Sequence, residues 1–294
     1  MRISTAYQFD TYTNDMRLAQ ERLAAAGRQV STGKRITAPS DDPLGTSQSL
    51  TMRSYKSATE QYQKNLLTGK GYLGYTEDAL ANIYDSVKKA YTLAVSGAND
   101  TADQSARDAM AAEIGTIQER IVQLANTRGP SGQYIFGGQQ NGTAAYTLSG
   151  SSLTYNGDSN PINVEVGPSE MMKANTQSEP VLSDLYTKLE TLKNNLLGGN
   201  AGAISGVSIN EMQDAMKSVS ALRSDVGARL QKIEDYQTQY TRRVDDLTEG
   251  ISDIEEVDIS QAIMKYQLAQ TAYQGALSIA SKGFGLSLMD FIQG

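Results

Sequence analysis

The chain has 294 residues, 39% of them hydrophobic, and a formal net charge of −7. That length can bury a sizeable core, while the acidity excludes nucleic acid or an anionic membrane as principal partner, since either calls for a basic surface. Cysteine and histidine are both absent, which removes disulfides, thiolate metal sites, cysteine nucleophiles, the usual general base near neutral pH and the commonest metal ligand.

The opening Met1-Arg2-Ile3-Ser4-Thr5 leads into polar residues with no apolar run and no small-residue cleavage site, so no secretory signal peptide is expected. No segment approaches the roughly 18 uninterrupted apolar residues that suggest a membrane-spanning helix. All six prolines lie between Pro39 and Pro180, leaving 44–129 and 181–294 free for long helices.

The first predicted helix runs from about Thr5 to Ser31. Phe9, Met16, Leu23 and Val30 recur every seven residues, with Tyr12, Ala19 and Ala26 at the interleaved position, an a/d seam that Gly33 terminates. Ser40-Asp41-Asp42-Pro43 reads as the next start, Asp42 capping and Pro43 at the first helical position. Gly69, Gly71 and Gly74 weaken the helix that follows, and the sequence leaves open whether they break it or bend it. A third helix is expected over about Thr101–Asn126, with Met110, Ile114, Ile117, Ile121 and Leu124 on one face.

Beyond Arg128-Gly129-Pro130 the chain turns Gly-, Asn- and Ser-rich to about Gln177. Alternating runs at 134–136, 146–148, 153–155 and 162–166 are separated by turn signals at Asn156-Gly157-Asp158 and Gly167-Pro168, which predicts a small β-rich insert. Helix is expected again over Val181–Leu197 and, past a Gly-rich linker, from Ser208. There Val226, Ile233, Tyr240, Leu247 and Ile254 keep a seven-residue period, joined by Leu230, Val244 and Ile251, with Gln237 the polar exception. A last helix begins at Asp258, carries Ile259, Ile263, Tyr266, Tyr273 and Leu277 on its apolar side, and is expected to end at Gly283 and Gly285 before an apolar tip, 286–292.

The fold class that follows is mainly α: an elongated rod of long antiparallel helices or coiled coil, with a small β-rich inserted domain and the two termini together. Segments 1–40 and 255–294 form terminal coiled coil, 41–130 and 178–254 a helical rod, and 131–177 the insert.

Asp41 with Asp42, and Glu255 and Glu256 with Asp258, are the catalytic-looking groups. Each set sits at a helix start, where capping and the helix dipole account for negative charge without a carboxylate dyad or a calcium site. Gly69-Lys70-Gly71 lacks the spacing of a phosphate loop, and Lys34-Arg35 and Arg242-Arg243 read as solvated or ion-paired faces. No catalytic, cofactor or metal residue is assigned.

Several segments resemble, in order, the hook-associated protein 3 family, a branch of the bacterial flagellins. They are Met1–Thr5, Ser31-Thr32-Gly33-Lys34-Arg35 and Pro39–Pro43, then Leu124-Ala125-Asn126-Thr127 with Gly132–Gly138. Val226-Gly227-Ala228-Arg229-Leu230, Val257–Ile263 and Gly285–Phe291 complete the series. Flagellins proper share the nested plan, with a different opening and without the prolines of Pro39–Pro43.

The resemblance implies a non-enzymatic structural subunit at the hook–filament junction, outside the cell. It would be exported unfolded through the flagellar type III channel with a dedicated chaperone, and would self-assemble in a ring or helical lattice beside a neighbouring hook-associated protein and flagellin. It places the terminal helices at the inner tube and the insert facing outwards. The alternatives are a filament subunit or a secreted helical adhesin or translocator-type protein binding through the insert.

The assembly interface expected from the terminal seams comprises Phe9, Tyr12, Met16, Leu23, Val30, Ile259, Ile263, Tyr266, Tyr273 and Leu277. These few side chains do not repay the ordering of the segments that carry them, so the ends are expected to order only on assembly. The insert is expected to be dispensable for placement in the lattice.

Overall fold

Each long proline-free stretch becomes helix in the computed structural model, which describes residues 2–99 and 102–292. The elements are α1 (Arg2–Thr32), α2 (Pro43–Gly97), α3 (Gln104–Ala125), strands β1 (Tyr146–Ser149), β2 (Ser152–Tyr155), β3 (Asn163–Gly167) and β4 (Glu170–Lys173), then α4 (Val181–Leu197), a short turn α5 (Ala201–Ala203), α6 (Ile209–Glu255) and α7 (Ile259–Ile292). The fold is mainly α with one small strand region, as the patterning predicts.

The start and stop signals operate as their chemistry requires. Gly33 ends α1 at φ +69°, a backbone conformation that side chains resist. Asp42 Oδ1 accepts from the Gly45 amide at 2.9 Å and Pro43 opens α2. Asp103 caps α3 by accepting from the Ala106 amide at 2.7 Å, and Asp258 caps α7 by accepting from the Ser260 amide at 2.8 Å. One glycine site answers what the sequence left open, and another departs from the sequence reading. The helix α2 runs unbroken through Gly69, Gly71 and Gly74, because Leu66, Leu73 and Leu80 on one face are fully buried and hold it. At Gly69 a Cβ would stand 3.4 Å from the Val164 side chain, an ordinary packing distance, so β3 lies close over this turn of the helix. Likewise α7 continues past Gly283 and Gly285 to Ile292.

Two compact units result, Met1–Ala58 with Arg243–Gly294, and Thr59–Arg242. The middle unit, 59–242, holds a hydrophobic core drawn from α2, α3, α4, α6 and the strand region. Leu182, Leu185, Leu189, Leu192 and Leu196 line one side of α4 and are buried in it, as are Val226, Ile233 and Tyr240 of the α6 seam. The strands pair as two antiparallel hairpins, β1 with β2 and β3 with β4. Of the runs read as strands, 134–136 forms only an isolated bridge between Tyr134 and Arg128. Its Ile135 and Phe136 are buried instead in the helical core.

The strand region has no core of its own. Tyr146 lies between helices, its amide donating to Asn126 Oδ1 at 2.9 Å and its hydroxyl bonded to Ser178 Oγ at 2.7 Å. From α6, Arg229 donates to the Asn175 carbonyl at 2.7 Å, and the Tyr240 hydroxyl donates to the Val166 carbonyl. At Gly138, φ +64°, the chain turns so closely against Asp158 that no Cβ would fit.

Candidate assembly surface

Within the terminal unit, α1 and α7 pack along their lengths. Gly33 faces Ile259 and Gly27 faces Tyr266, so the helices run antiparallel. Carrying that pairing along both sets Val30 level with Ala262, Ala26 with Tyr266, Leu23 with Ala269, Ala19 with Tyr273, Met16 with Ala276 and Tyr12 with Ala280. All twelve are buried or half-buried. Every level joins a large side chain to a small one, the arrangement that fills space between helices without voids.

The seam of α7 is therefore turned from the face the apolar residues suggest. Tyr266 and Tyr273 lie in it, whereas Ile259, Ile263 and Leu277 stand beside it and are exposed, Ile263 by 40%. The seam residues missed from sequence are alanines, although Ala262, Ala269 and Ala276 do recur every seven residues. On the opposite flank Met264, Leu268 and Ile279 are also exposed, Leu268 by 72%. Between Ile259 and Ser281 the only charged residue is Lys265, so little charge has to be desolvated when these flanks are covered. On α1, Tyr12, Met16, Leu23 and Val30 are half-buried and Phe9 is 53% exposed. Leu44, Leu50 and Tyr55 at the start of α2 add further exposed apolar surface. Exposed apolar side chains gathered on these helices make a candidate interaction surface.

One charged cluster anchors the helix pair. Arg53 donates to both oxygens of Glu255, from Nε at 2.9 Å and from Nη2 at 2.6 Å. Lys34 Nζ donates to Oε2 at 3.1 Å, and the Ser49 hydroxyl donates to Oε1. The Arg53 hydrogen bonds, with smaller contributions from Ser49 and Lys34, hold the Glu255 carboxyl down at about 2 against the opposing effect of burial. Backbone bonds reinforce the join: the Arg35 amide donates to the Glu255 carbonyl at 2.6 Å, and the Val257 amide donates to the Gly33 carbonyl at 3.0 Å. The Arg35 guanidinium donates to the Ile254 carbonyl and to Asp42 Oδ2.

Asp41 and Asp42 use their oxygens locally. Asp41 Oδ2 accepts from the amides of Ala38 and Thr37 and from the Thr37 hydroxyl. Those bonds, led by the Ala38 amide, lower its pKa; for Asp42 the Gly45 amide leads and Arg35 follows. Among the described residues no group of three or more acidic side chains could hold a metal ion, and no helix is long and apolar enough to cross a membrane.

The depressed carboxyl sets an acid response. A group whose folded pKa lies below its unfolded value, here about 2 against 4.5, contributes stability that is complete above the unfolded pKa and is lost as pH falls through the folded one. Hydrogen-exchange protection of the Val257 amide should hold down to about pH 4.5 and decline toward pH 2. A Glu255→Gln chain should lack that step; if it kept the same acid profile, other carboxylates would be responsible.

Two family models match the chain in order. The bacterial flagellin N-terminal helical region covers residues 3–141 and the bacterial flagellin C-terminal helical region covers 209–290. The flagellar hook-associated protein 3 of Escherichia coli (strain K12) is 24% identical over 314 aligned positions, spanning 98% of both chains. A flagellin from Aquifex aeolicus (strain VF5) is 31% identical over 113 residues, 38% of this chain and 22% of that one. The crystal structure of Bacillus cereus FlgL matches with a TM-score of 0.61 at 26% identity, covering 69% of this chain and 99% of the other. With both flagellin helical regions present in order, and α1 and α7 paired as the two ends of one helical unit, the chain belongs to the bacterial flagellin family.

Proposed function

We propose that the chain is a structural subunit of the bacterial flagellum that forms the junction between hook and filament and polymerises through its terminal helices. The observation that carries this is where the core lies. Among the described residues the hydrophobic core falls wholly within 59–242, while the apolar residues buried in the terminal unit are Ala262 and Ala280. A helix pair that buries alanines and exposes Ile, Leu and Met is completed by other copies. The junction role, more specific than flagellin-like assembly, is supported by alignment over 98% of a hook-associated protein 3, against 22% of the Aquifex flagellin.

In this reading Ile259, Ile263 and Leu277 meet neighbouring subunits, while Tyr12, Met16, Leu23, Val30, Tyr266 and Tyr273 hold the intrachain seam that presents them. Phe9 extends the α1 side of the surface. Export unfolded with a chaperone, contact with a second hook-associated protein and flagellin, and an outward-facing strand region belong to the same proposal. The chain has no catalytic role, in keeping with carboxylates that cap helices. Electron microscopy of cells lacking the gene tests the reading: hooks without filaments, with flagellin shed into the medium, are expected. Disappearance of the filament protein itself would make this chain the filament subunit, and filaments of normal number would remove it from the junction.

A further inference from the structure

Three side chains meet at one carboxylate some two hundred residues away in sequence, and the loops they join carry the two halves of the terminal helix pair. Lys34 lies just beyond α1, Ser49 and Arg53 lie on the first turns of α2, and Glu255 is the last residue of α6, four before α7 begins. The Glu255 side chain is only 13% exposed, while Arg53 and Lys34 are each nearly half exposed, so solvent screens the cations and the carboxylate is the shielded member. Its geometry is specific as well. A planar guanidinium grips both carboxylate oxygens, which fixes direction as well as distance. The backbone bonds from Arg35 to Glu255 and from Val257 to Gly33 lie within two residues of it on each side, and Gly33 and Ile259, the first level of the α1–α7 pairing, follow directly.

The α1–α7 seam does not fix its own alignment strongly. Its levels each set an alanine against one larger residue, with alanines at 19 and 26 on one helix and at 262, 269, 276 and 280 on the other. A slip by one heptad still sets Val30 opposite Ala269, Leu23 opposite Ala276 and Ala26 opposite Tyr273, so three of the six levels keep the same residue types and only the other three oppose it. A contact outside the seam therefore adds to what sets its register.

We propose that Glu255 is the register-setting residue of the assembly surface: by binding Arg53, Lys34 and Ser49 together it aligns α7 against α1, and so decides whether the exposed flanks of α7 stand where a neighbouring copy can meet them. This rests on the junction-subunit reading and adds to it a residue that acts through position, since Glu255 lies among charged groups and outside the apolar flanks. The neutral isostere in Glu255→Gln keeps the shape and removes the charge that holds Arg53. Arg53→Gln removes the same bond from the other side.

The experiment compares full-length wild type, Glu255→Gln, Arg53→Gln and the double variant in two readouts: addition to isolated hooks, and hydrogen exchange of the Arg35 and Val257 amides in the free chain. Each single variant should exchange those amides faster and add to hooks less well, by roughly tenfold to a hundredfold, the range for losing charged hydrogen bonds. The double variant should be no worse than the worse single, because both remove one interaction. The thermal midpoint of the middle unit should not change, which separates register from global folding. Normal addition by Glu255→Gln overturns the proposal, as do additive losses in the double variant. Failure of wild type to add to hooks would instead refute the junction reading while leaving the exchange results to judge the register.

Discussion

Changing Ile263 to aspartate should leave the free chain folded and abolish its addition to hooks. The residue is 40% exposed and lies outside the α1–α7 seam, so in the isolated chain the new carboxylate reaches water and costs little, within about 0.5 kcal/mol. In an assembled interface the same carboxylate would be desolvated without a partner, at a cost of several kcal/mol. Leu23 is half-buried in the seam itself, and Leu23→Asp should fail differently, loosening α1 from α7 before any neighbour arrives. Limited proteolysis of both variants and wild type should converge on a fragment near 59–242, because neither residue belongs to that core. The Leu23 variant should be trimmed faster. Normal addition of the Ile263 variant to hooks would remove that flank from the assembly surface.

The second large effect falls in the strand region. Excising 132–177 should unfold the middle unit, contrary to the sequence-based expectation of a dispensable insert. Ile135, Phe136, Ala145, Tyr146, Leu153, Val166, Met172 and Ala174 all belong to the helical core, and their removal would uncover the faces of α2, α3, α4 and α6 that they cover. A single truncation tests the point with less disruption. Phe136→Ala should cost about 3–5 kcal/mol in chemical denaturation, the range for deleting a buried aromatic ring. Leu148→Ala, at an exposed position on the β1–β2 hairpin, should stay within about 0.5 kcal/mol. Equal effects at the two positions would mean that the strand region is not part of the core.

The sequence could not give the placement of that region because composition reports local tendency, whereas burial depends on what arrives from elsewhere. The Gly- and Asn-rich turns correctly predicted short strands at 146–148, 153–155 and 162–166. The same run hid that Phe136 and Tyr146 reach between helices separated from them by many residues. Strand β4 was not foreseen at all; Glu170-Met171-Met172-Lys173 has little strand preference and is held by its pairing with β3.

What the sequence determined by itself was local and periodic. The seven-residue recurrences defined α1 and the buried side of α6, and Asp42, Pro43 and Asp258 fixed helix starts, because a cap depends only on residues within one turn. The lack of cysteine and histidine narrowed the chemistry without any structure. Only the tertiary structure decided which side of α7 faces α1. Alanine carries too little apolar surface to announce a seam, yet its size is what lets Tyr266 and Tyr273 pack there. Only the structure brought Lys34, Ser49 and Arg53 to Glu255, which from sequence was one more acid at a helix boundary. A carboxylate's neighbours across some two hundred residues are set by the fold, and those neighbours turn it from a solvated charge into an anchor.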